Sequence, residues 1–216
     1  MNYQTKIDIM KKKITITLLA TVCLALFTVL SANAQFSGGV RAGTNLATLN
    51  GTFDGYHKVF PRIYGGIFAN YKTSDAFALQ LELSYTGAGD KLSASSSDAT
   101  ITERLKANYL AVPLLAQYRF PFGGFIELGP QLGFLLSAKD EADGTTTDIK
   151  ENIKSTDFEA VLGIGYELKK TSLAGLGINV RLVRGLTDIS KIPSEGGKIT
   201  NRGLNIGLTY RFGQHK

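Results

Sequence analysis

The sequence predicts an all-β fold, an eight-stranded antiparallel up-and-down barrel that crosses a membrane on its strands. Three observations predict it. Apolar and polar residues alternate with period two along most of the chain, the connections between alternating segments are long and short in turn, and aromatic residues gather at the segment ends. Composition points the same way. The chain has 216 residues with 24 Gly, 9 Tyr, 12 Phe and only 19% charged residues, which suits neither charged disorder nor, without a Gly-X-Y period, collagen.

The first segment reads as an export signal rather than a strand. Lys11, Lys12 and Lys13 precede an uncharged stretch from Ile14 to Leu30, and Ala32-Asn33-Ala34 places small residues at −3 and −1 before Gln35. That order marks a secretory signal peptide over 1–34. The apolar run is at the lower limit for a spanning helix, and its four Thr and the A-N-A site favour cleavage over anchoring. A lipoprotein site at Cys23 fails because Val22 before it is too large. Cleavage leaves a barrel domain over 35–216 and removes four Lys, Asp8 and the only Cys, so net charge falls from +6 to +3. The basic balance that first suggests nucleic acid is therefore half signal peptide, and no nucleic-acid partner is expected. No disulfide and no structural zinc set remain.

The strands follow in order over 36–46, 62–72, 77–85, 107–120, 125–136, 157–168, 176–182 and 203–212. The third is the clearest: Phe77, Leu79, Leu81, Leu83 and Tyr85 share one face, and Ala78, Gln80, Glu82 and Ser84 the other. The last repeats it, with Leu204, Ile206, Leu208, Tyr210 and Phe212 opposite Gly203, Asn205, Gly207, Thr209 and Arg211. Connections 47–61, 87–106, 137–156 and 185–201 are long and polar; those near 73–75, 121–124 and 169–174 are short. In an outer-membrane barrel the short turns and both termini face the periplasm.

A secreted sandwich would show the same alternation, and the aromatics decide between them. Threaded up and down, Phe36, Tyr71, Phe77, Tyr118, Phe120, Tyr166, Tyr210 and Phe212 fall at one end of their strands, and Tyr85, Phe134 and Phe158 toward the other. Two belts around an aliphatic band match a barrel in lipid, and most of the apolar content is expected to face lipid rather than to form a core.

The opposite face carries Arg41, Arg119, Arg181 and Arg211 with Glu82, Glu127, Asp157 and Glu159, joined by Gln80, Gln117, Gln131, Asn45, Asn179 and Asn205. Eight strands leave room inside only for side chains. The expectation is a packed polar plug with its charges paired, since buried unpaired ions are costly. A narrow ion path is the sharper alternative. Inward Gly, including Gly39, Gly43, Gly66, Gly129, Gly163, Gly165 and Gly207, make room for long neighbours. Pro113 and Pro130 conflict with closed strands, so bulges or local irregularity are expected at both.

Asn108-Tyr-Leu-Ala-Val-Pro-Leu-Leu-Ala-Gln-Tyr-Arg-Phe120, Glu127-Leu-Gly-Pro-Gln-Leu-Gly-Phe134 and Asp157-Phe-Glu-Ala-Val-Leu-Gly-Ile-Gly-Tyr166, with Gly39-Val-Arg-Ala-Gly-Thr-Asn-Leu46 and Arg184-Gly-Leu-Thr-Asp-Ile189, resemble the outer-membrane β-barrels of the Bacteroidetes called porin-family or PorT-like. The resemblance spans essentially 35–213 and implies an outer-membrane location in a Gram-negative, Bacteroidetes-type cell. It also implies that the two prolines are a family feature. Where family members often carry Glu, this chain has Ala111. Asn205, Gly207, Tyr210 and Phe212 resemble the C-terminal signal read by the barrel assembly machinery, although Gly213-Gln-His-Lys216 follow the final aromatic.

Catalysis finds little support. His57 sits in the first long connection and His215 in the tail, neither beside a candidate nucleophile on a strand. Asp140-Glu-Ala-Asp-Gly-Thr-Thr-Thr-Asp148 lacks the ligand pattern and terminal bidentate Glu of a calcium loop. The chain therefore reads as an integral outer-membrane barrel, without enzyme activity, metal or cofactor, in a structural or interaction role. The alternatives are a PorT-like secretion or assembly accessory and a narrow non-specific porin. Expected partners are outer-membrane lipid, the assembly machinery during insertion, and secretion-complex or surface partners of unknown identity.

Overall fold

The structure, a computed structural model, describes residues 35–50, 56–96, 99–142, 144–169, 172–192 and 197–213; the signal read over 1–34 and His215 lie outside them. The strands are β1 (Phe36–Asn50), β2 (Tyr56–Lys58), β3 (Phe60–Lys72), β4 (Phe77–Ser96), β5 (Ala99–Arg119), β6 (Gly124–Ala142), β7 (Thr145–Asp148), β8 (Thr156–Glu167), β9 (Leu176–Gly185) and β10 (Thr200–Arg211), with one 3-10 turn described at Lys150–Asn152. Eight of them close an antiparallel barrel in the order β1, β3, β4, β5, β6, β8, β9, β10. The closing seam joins β1 to β10 from Gly39↔Arg211 to Asn50↔Thr200. Short turns and both described chain ends lie at one end, the turn end; the long connections lie at the other, the loop end. Closure leaves none of the eight with a free edge, the usual liability of an isolated sheet.

Inward and outward positions alternate as the period requires. On β8, Asp157, Glu159, Val161, Gly163 and Glu167 turn in, while Phe158, Leu162, Ile164 and Tyr166 are exposed. The outward band of Leu79, Leu81, Leu83, Leu128, Leu162, Ile164, Ile178, Leu182 and Leu208 is far too extensive for a soluble monomer. Aromatic residues rim it at the turn end, where Phe36 packs on Tyr71 at 4.7 Å, Phe77 on Tyr118 at 5.1 Å and Tyr210 on Phe212 at 5.6 Å between centroids. Tyr85, Phe134 and Phe158 stand exposed toward the loop end.

Three expectations need correction. First, 87–106 is not a polar loop. β4 and β5 stay paired as far as Ser96↔Ala99, forming a ribbon above the rim. β6 likewise runs to Ala142 and adds β7, so 137–156 is mostly paired strand and turn. A polar composition there is compatible with strand pairing, since the ladder bonds are made by backbone groups whatever the side chain. Lys106 Nζ lies 2.5 Å from Glu141 Oε1 on this extension and holds that carboxyl below the usual carboxylate range. Short β2 brings His57 onto the same extension, opposite Leu92 of β4.

Second, the irregularity expected at the prolines is present as an interruption of pairing, and only the bulge is corrected. The β4–β5 ladder skips from Leu81↔Leu114 to Ser84↔Ala111, and the β5–β6 ladder from Pro113↔Gln131 to Ala116↔Leu128, with register unchanged across each gap. A missing N–H removes ladder bonds but need not add a residue. The actual bulge lies earlier, at Asn108/Tyr109.

Third, the barrel has a small apolar core. Leu49, Ala88, Ala107, Tyr109, Leu135 and Ala138, inward residues of the strand extensions, pack with Ile153 and Ile189 from the long connections. An isolated bridge between Ile153 and Ser190 and the bond from Lys154 N to Ile189 O tie those connections across the mouth. The outcome is a cap over the loop end of the lumen.

Candidate functional site

Below the cap, the inward charges of alternating strands arrange themselves by height. In the middle, Arg181 of β9 reaches across the lumen: Nε donates to Glu127 Oε1 at 2.5 Å and Nη2 to Glu127 Oε2 at 3.2 Å, while Nη1 donates to Glu82 Oε1 and Oε2 at 3.2 and 3.0 Å. Arg41 Nη1 donates to the same Glu82 at 2.8 Å. Gln117 Nε2 donates to Glu127 Oε2 at 2.8 Å, and Asn70 Nδ2 to Gln117 Oε1 at 2.9 Å. Two guanidinium forks thus meet two carboxylates, each further hydrogen-bonded, which is the arrangement that makes buried ion pairs tolerable.

Toward the turn end, Arg119 Nη2 and Arg211 Nε both donate to Glu167 Oε2 at 2.9 Å, and Arg211 Nη1 to Ser37 Oγ at 2.7 Å. Toward the loop end, Asp157 accepts from Thr187 Oγ1 and Asn201 Nδ2, both at 2.8 Å, and Glu159 bonds Gln131. The expected pairing of all charges is therefore corrected here: no cation among the described residues meets Asp157 or Glu159, and neutral donors hold them instead. The eight charged residues form separate levels, because each strand sets its side chains at fixed heights.

Glycines seat the aromatic rings that these arginines cover. Tyr64 lies against Gly43 and Gly207, Phe68 against Gly39, and Phe125 against Gly165; an added Cβ would come within 2.1–2.8 Å of an atom of the aromatic side chain in each case. Arg41 then sits over Tyr64 at 5.2 Å, Arg211 over Phe68 at 5.4 Å and Arg119 over Phe125 at 5.6 Å. Inward aromatic rings laid over cross-strand glycines fill space that two small positions leave open, and the guanidinium above each ring gains a cation–π contact.

Asn205 and Gly207 face inward at the closing seam opposite Asn45 and Gly43, while Tyr210 and Phe212 belong to the turn-end belt. Glu167 and Asn70 were absent from the charged and amide set read from sequence, although strand parity places both inside. Parity with Gly66 and Glu127 likewise places Tyr64, Phe68 and Phe125 inside, whereas nothing local in the sequence signals the cap.

Each of the four lumen arginines is engaged by a carboxylate, Asp157 and Glu159 are engaged by neutral donors, and the cavity beside Asn45, Asn201, Asn205 and Glu159 measures about 20 Å³, enough for a water molecule. Loop-end closure rests on Ile189, 2% exposed in the cap. Ile189→Asp should release the described stretch 186–192, and limited proteolysis should then cut it while the strands stay protected. Unchanged protease resistance would refute that role.

The sequence model of the outer membrane protein beta-barrel domain matches residues 19–212. No curated protein matches the chain in sequence. Among solved structures, Neisserial surface protein A (NspA) superimposes with a TM-score of 0.50 at 13% identity, covering 83% of this chain and 98% of that one. The attachment invasion locus protein Ail of Yersinia pestis, in complex with the heparin analogue sucrose octasulfate, gives 0.45 at 14% identity over 82% and 99%. Outer membrane protein OprG from Pseudomonas aeruginosa gives 0.40 at 16% identity over 82% and 94%. The likeness to NspA is one of fold.

Proposed function

The chain belongs to the family of outer membrane protein β-barrel domains, and on that premise we propose that it is a sealed, non-conducting barrel that acts as a structural and interaction scaffold in the outer membrane. The observation that supports this reading is the lumen's double closure. The Arg41–Glu82–Arg181–Glu127 network occupies its middle, and the apolar cap around Ile153 and Ile189 covers its loop end. An ion entering would have to displace a guanidinium paired on two sides and part a packed apolar layer, both costly in a low-dielectric interior.

In this reading residues 1–34 direct export and are removed, and the turn end faces the periplasm. The C-terminal Asn205, Gly207, Tyr210 and Phe212 present the barrel to the assembly machinery. The β4–β5 ribbon and the β6–β7 extension are then the outward contact surfaces for a surface partner. The Bacteroidetes-type assignment rests on the sequence resemblance alone.

Planar-bilayer recording tests the proposal. The purified barrel should insert without stable conductance steps, and reproducible unitary steps would replace the scaffold with a narrow pore. Capture of partners from the native membrane separates a surface scaffold from a PorT-like secretion accessory: enrichment of secretion components would favour the accessory.

A further inference from the structure

The loop-side edge of the aliphatic band is not uniform around the barrel. On the outer face of β9 and β10, Arg184 and Arg202 are direct cross-strand partners, both exposed. Immediately below them Leu182 pairs with Leu204, and Leu182 belongs to the exposed band. Arg202 stands eight residues along β10 from Tyr210 in the turn-end belt. At about 3.3 Å per residue and a tilt of about 40°, that is a height of roughly 20 Å, near the far edge of a hydrocarbon band about 25 Å tall. The two guanidinium groups therefore sit at headgroup level.

Like charges on directly opposed residues repel, and the neighbouring carboxylates do not answer them. Asp157 turns inward to Thr187 and Asn201, Glu159 turns inward to Gln131, and Asp188 accepts the N–H groups of Ser190 and Ile199. Two residues beyond the pair runs a groove of about 410 Å³ with Leu132, Phe158 and Leu186 as its apolar part; its polar lining carries Lys154 and Lys198 together with Asp157 and Asp188, two carboxylates already engaged. Leu186 N donates to Phe158 O at 2.8 Å, so the groove continues the same strands two residues beyond Arg184. Lys154 is only loosely engaged, 4.0 Å from Asp188.

We propose that this edge binds the phosphate-bearing headgroup of an anionic membrane lipid. Arg184 and Arg202 grip the phosphate with their planar forks, Lys154 and Lys198 add charge above it, and an acyl chain lies over Leu132, Phe158 and Leu186. The arginine stems run along the apolar band while their heads reach the interface. The assignment needs only a membrane-inserted barrel, not the orientation or the scaffold role proposed above.

Native mass spectrometry of the folded full-length mature barrel in neutral detergent tests it, with bis-phosphorylated lipid A as probe, its dephosphorylated form as control and inorganic phosphate as competitor. Lipid A should be retained and its dephosphorylated form lost. The R184Q/R202Q double variant should bind lipid A about 25-fold more weakly, two charges each contributing about fivefold near an anionic interface. Lys169→Gln at the turn end should bind as wild type. Equal retention of the dephosphorylated lipid, or an unaffected double variant, would overturn the proposal, and displacement of lipid A by inorganic phosphate at matched phosphate concentration would overturn its assignment to a lipid. Heat-modifiable gel mobility is read on every variant. A barrel that folds but does not bind speaks against the site, whereas a wild-type chain without heat-modifiable mobility speaks against the membrane barrel itself.

Discussion

Replacing Arg181 by Ala is expected to lower barrel stability by about 3–5 kcal/mol, the range for removing one partner of a buried ion pair. Arg181 is 3% exposed and bridges Glu82 and Glu127, which are themselves 2% and 1% exposed. Without it Glu127 keeps Gln117 as donor, and Glu82 keeps Arg41. Two carboxylates would then share one nearby guanidinium in a site closed to water. Arg181→Lys should fall between, because an ammonium restores charge but not the fork that meets both acids. The guanidinium-chloride midpoint in lipid vesicles, read by the loss of heat-modifiable mobility, measures the effect. A midpoint within error of wild type for Arg181→Ala would show that the network fills the lumen without stabilising it.

Gly43→Val is expected to have the second large effect, at the seam that closes the barrel. A Cβ at Gly43 would stand 2.2 Å from Ile206 O and 2.6 Å from Gly207 Cα, with the Tyr64 ring 2.8 Å away. The obstruction is backbone of the partner strand, so a rotamer change cannot relieve it. β1 and β10 must separate locally or Tyr64 must leave its seat, taking with it the bond from Arg41 Nη2 at 3.2 Å. The loss should exceed the roughly 1–3 kcal/mol usual for overpacking and should appear as a reduced folded fraction on refolding. Ala42→Val, one residue away on the exposed outer face, should refold as wild type. If the two variants behave alike, the close packing of the seam is not what makes glycine necessary there.

Both predictions concern contacts that the sequence foreshadows unequally. That Gly43, Arg41 and Arg181 point inward follows from period-two alternation alone. That Gly43 underlies Tyr64, or that Arg181 meets Glu82, does not: the latter pair is 99 residues apart and joins strands that are not neighbours in the barrel. The same limit explains Glu167. It stood on the polar face of its strand, yet its role as the shared acceptor of Arg119 and Arg211 emerges only when β5, β8 and β10 are brought together at the turn end.

The long connections show the converse. Their Ser, Thr, Asp and Lys content says little about pairing, because ladder bonds are made by the backbone, so the β4–β5 ribbon was invisible in composition. Ile153 and Ile189 look like isolated apolar residues in polar segments until the barrel mouth supplies Leu49, Tyr109 and Leu135 to cover them.

By itself, then, the sequence determined the strand count, the face each side chain takes, the end at which the turns lie and the position of the turn-end aromatic belt. All of these are local properties, carried by neighbours two residues apart or by the length of one connection. Only the tertiary structure decided which charges meet, that Asp157 and Glu159 are held by neutral donors, and that a cap closes the lumen. Those outcomes depend on the stagger between strands, which sets the height of each side chain around a closed cylinder, and stagger is a relation among all eight strands that no one of them encodes.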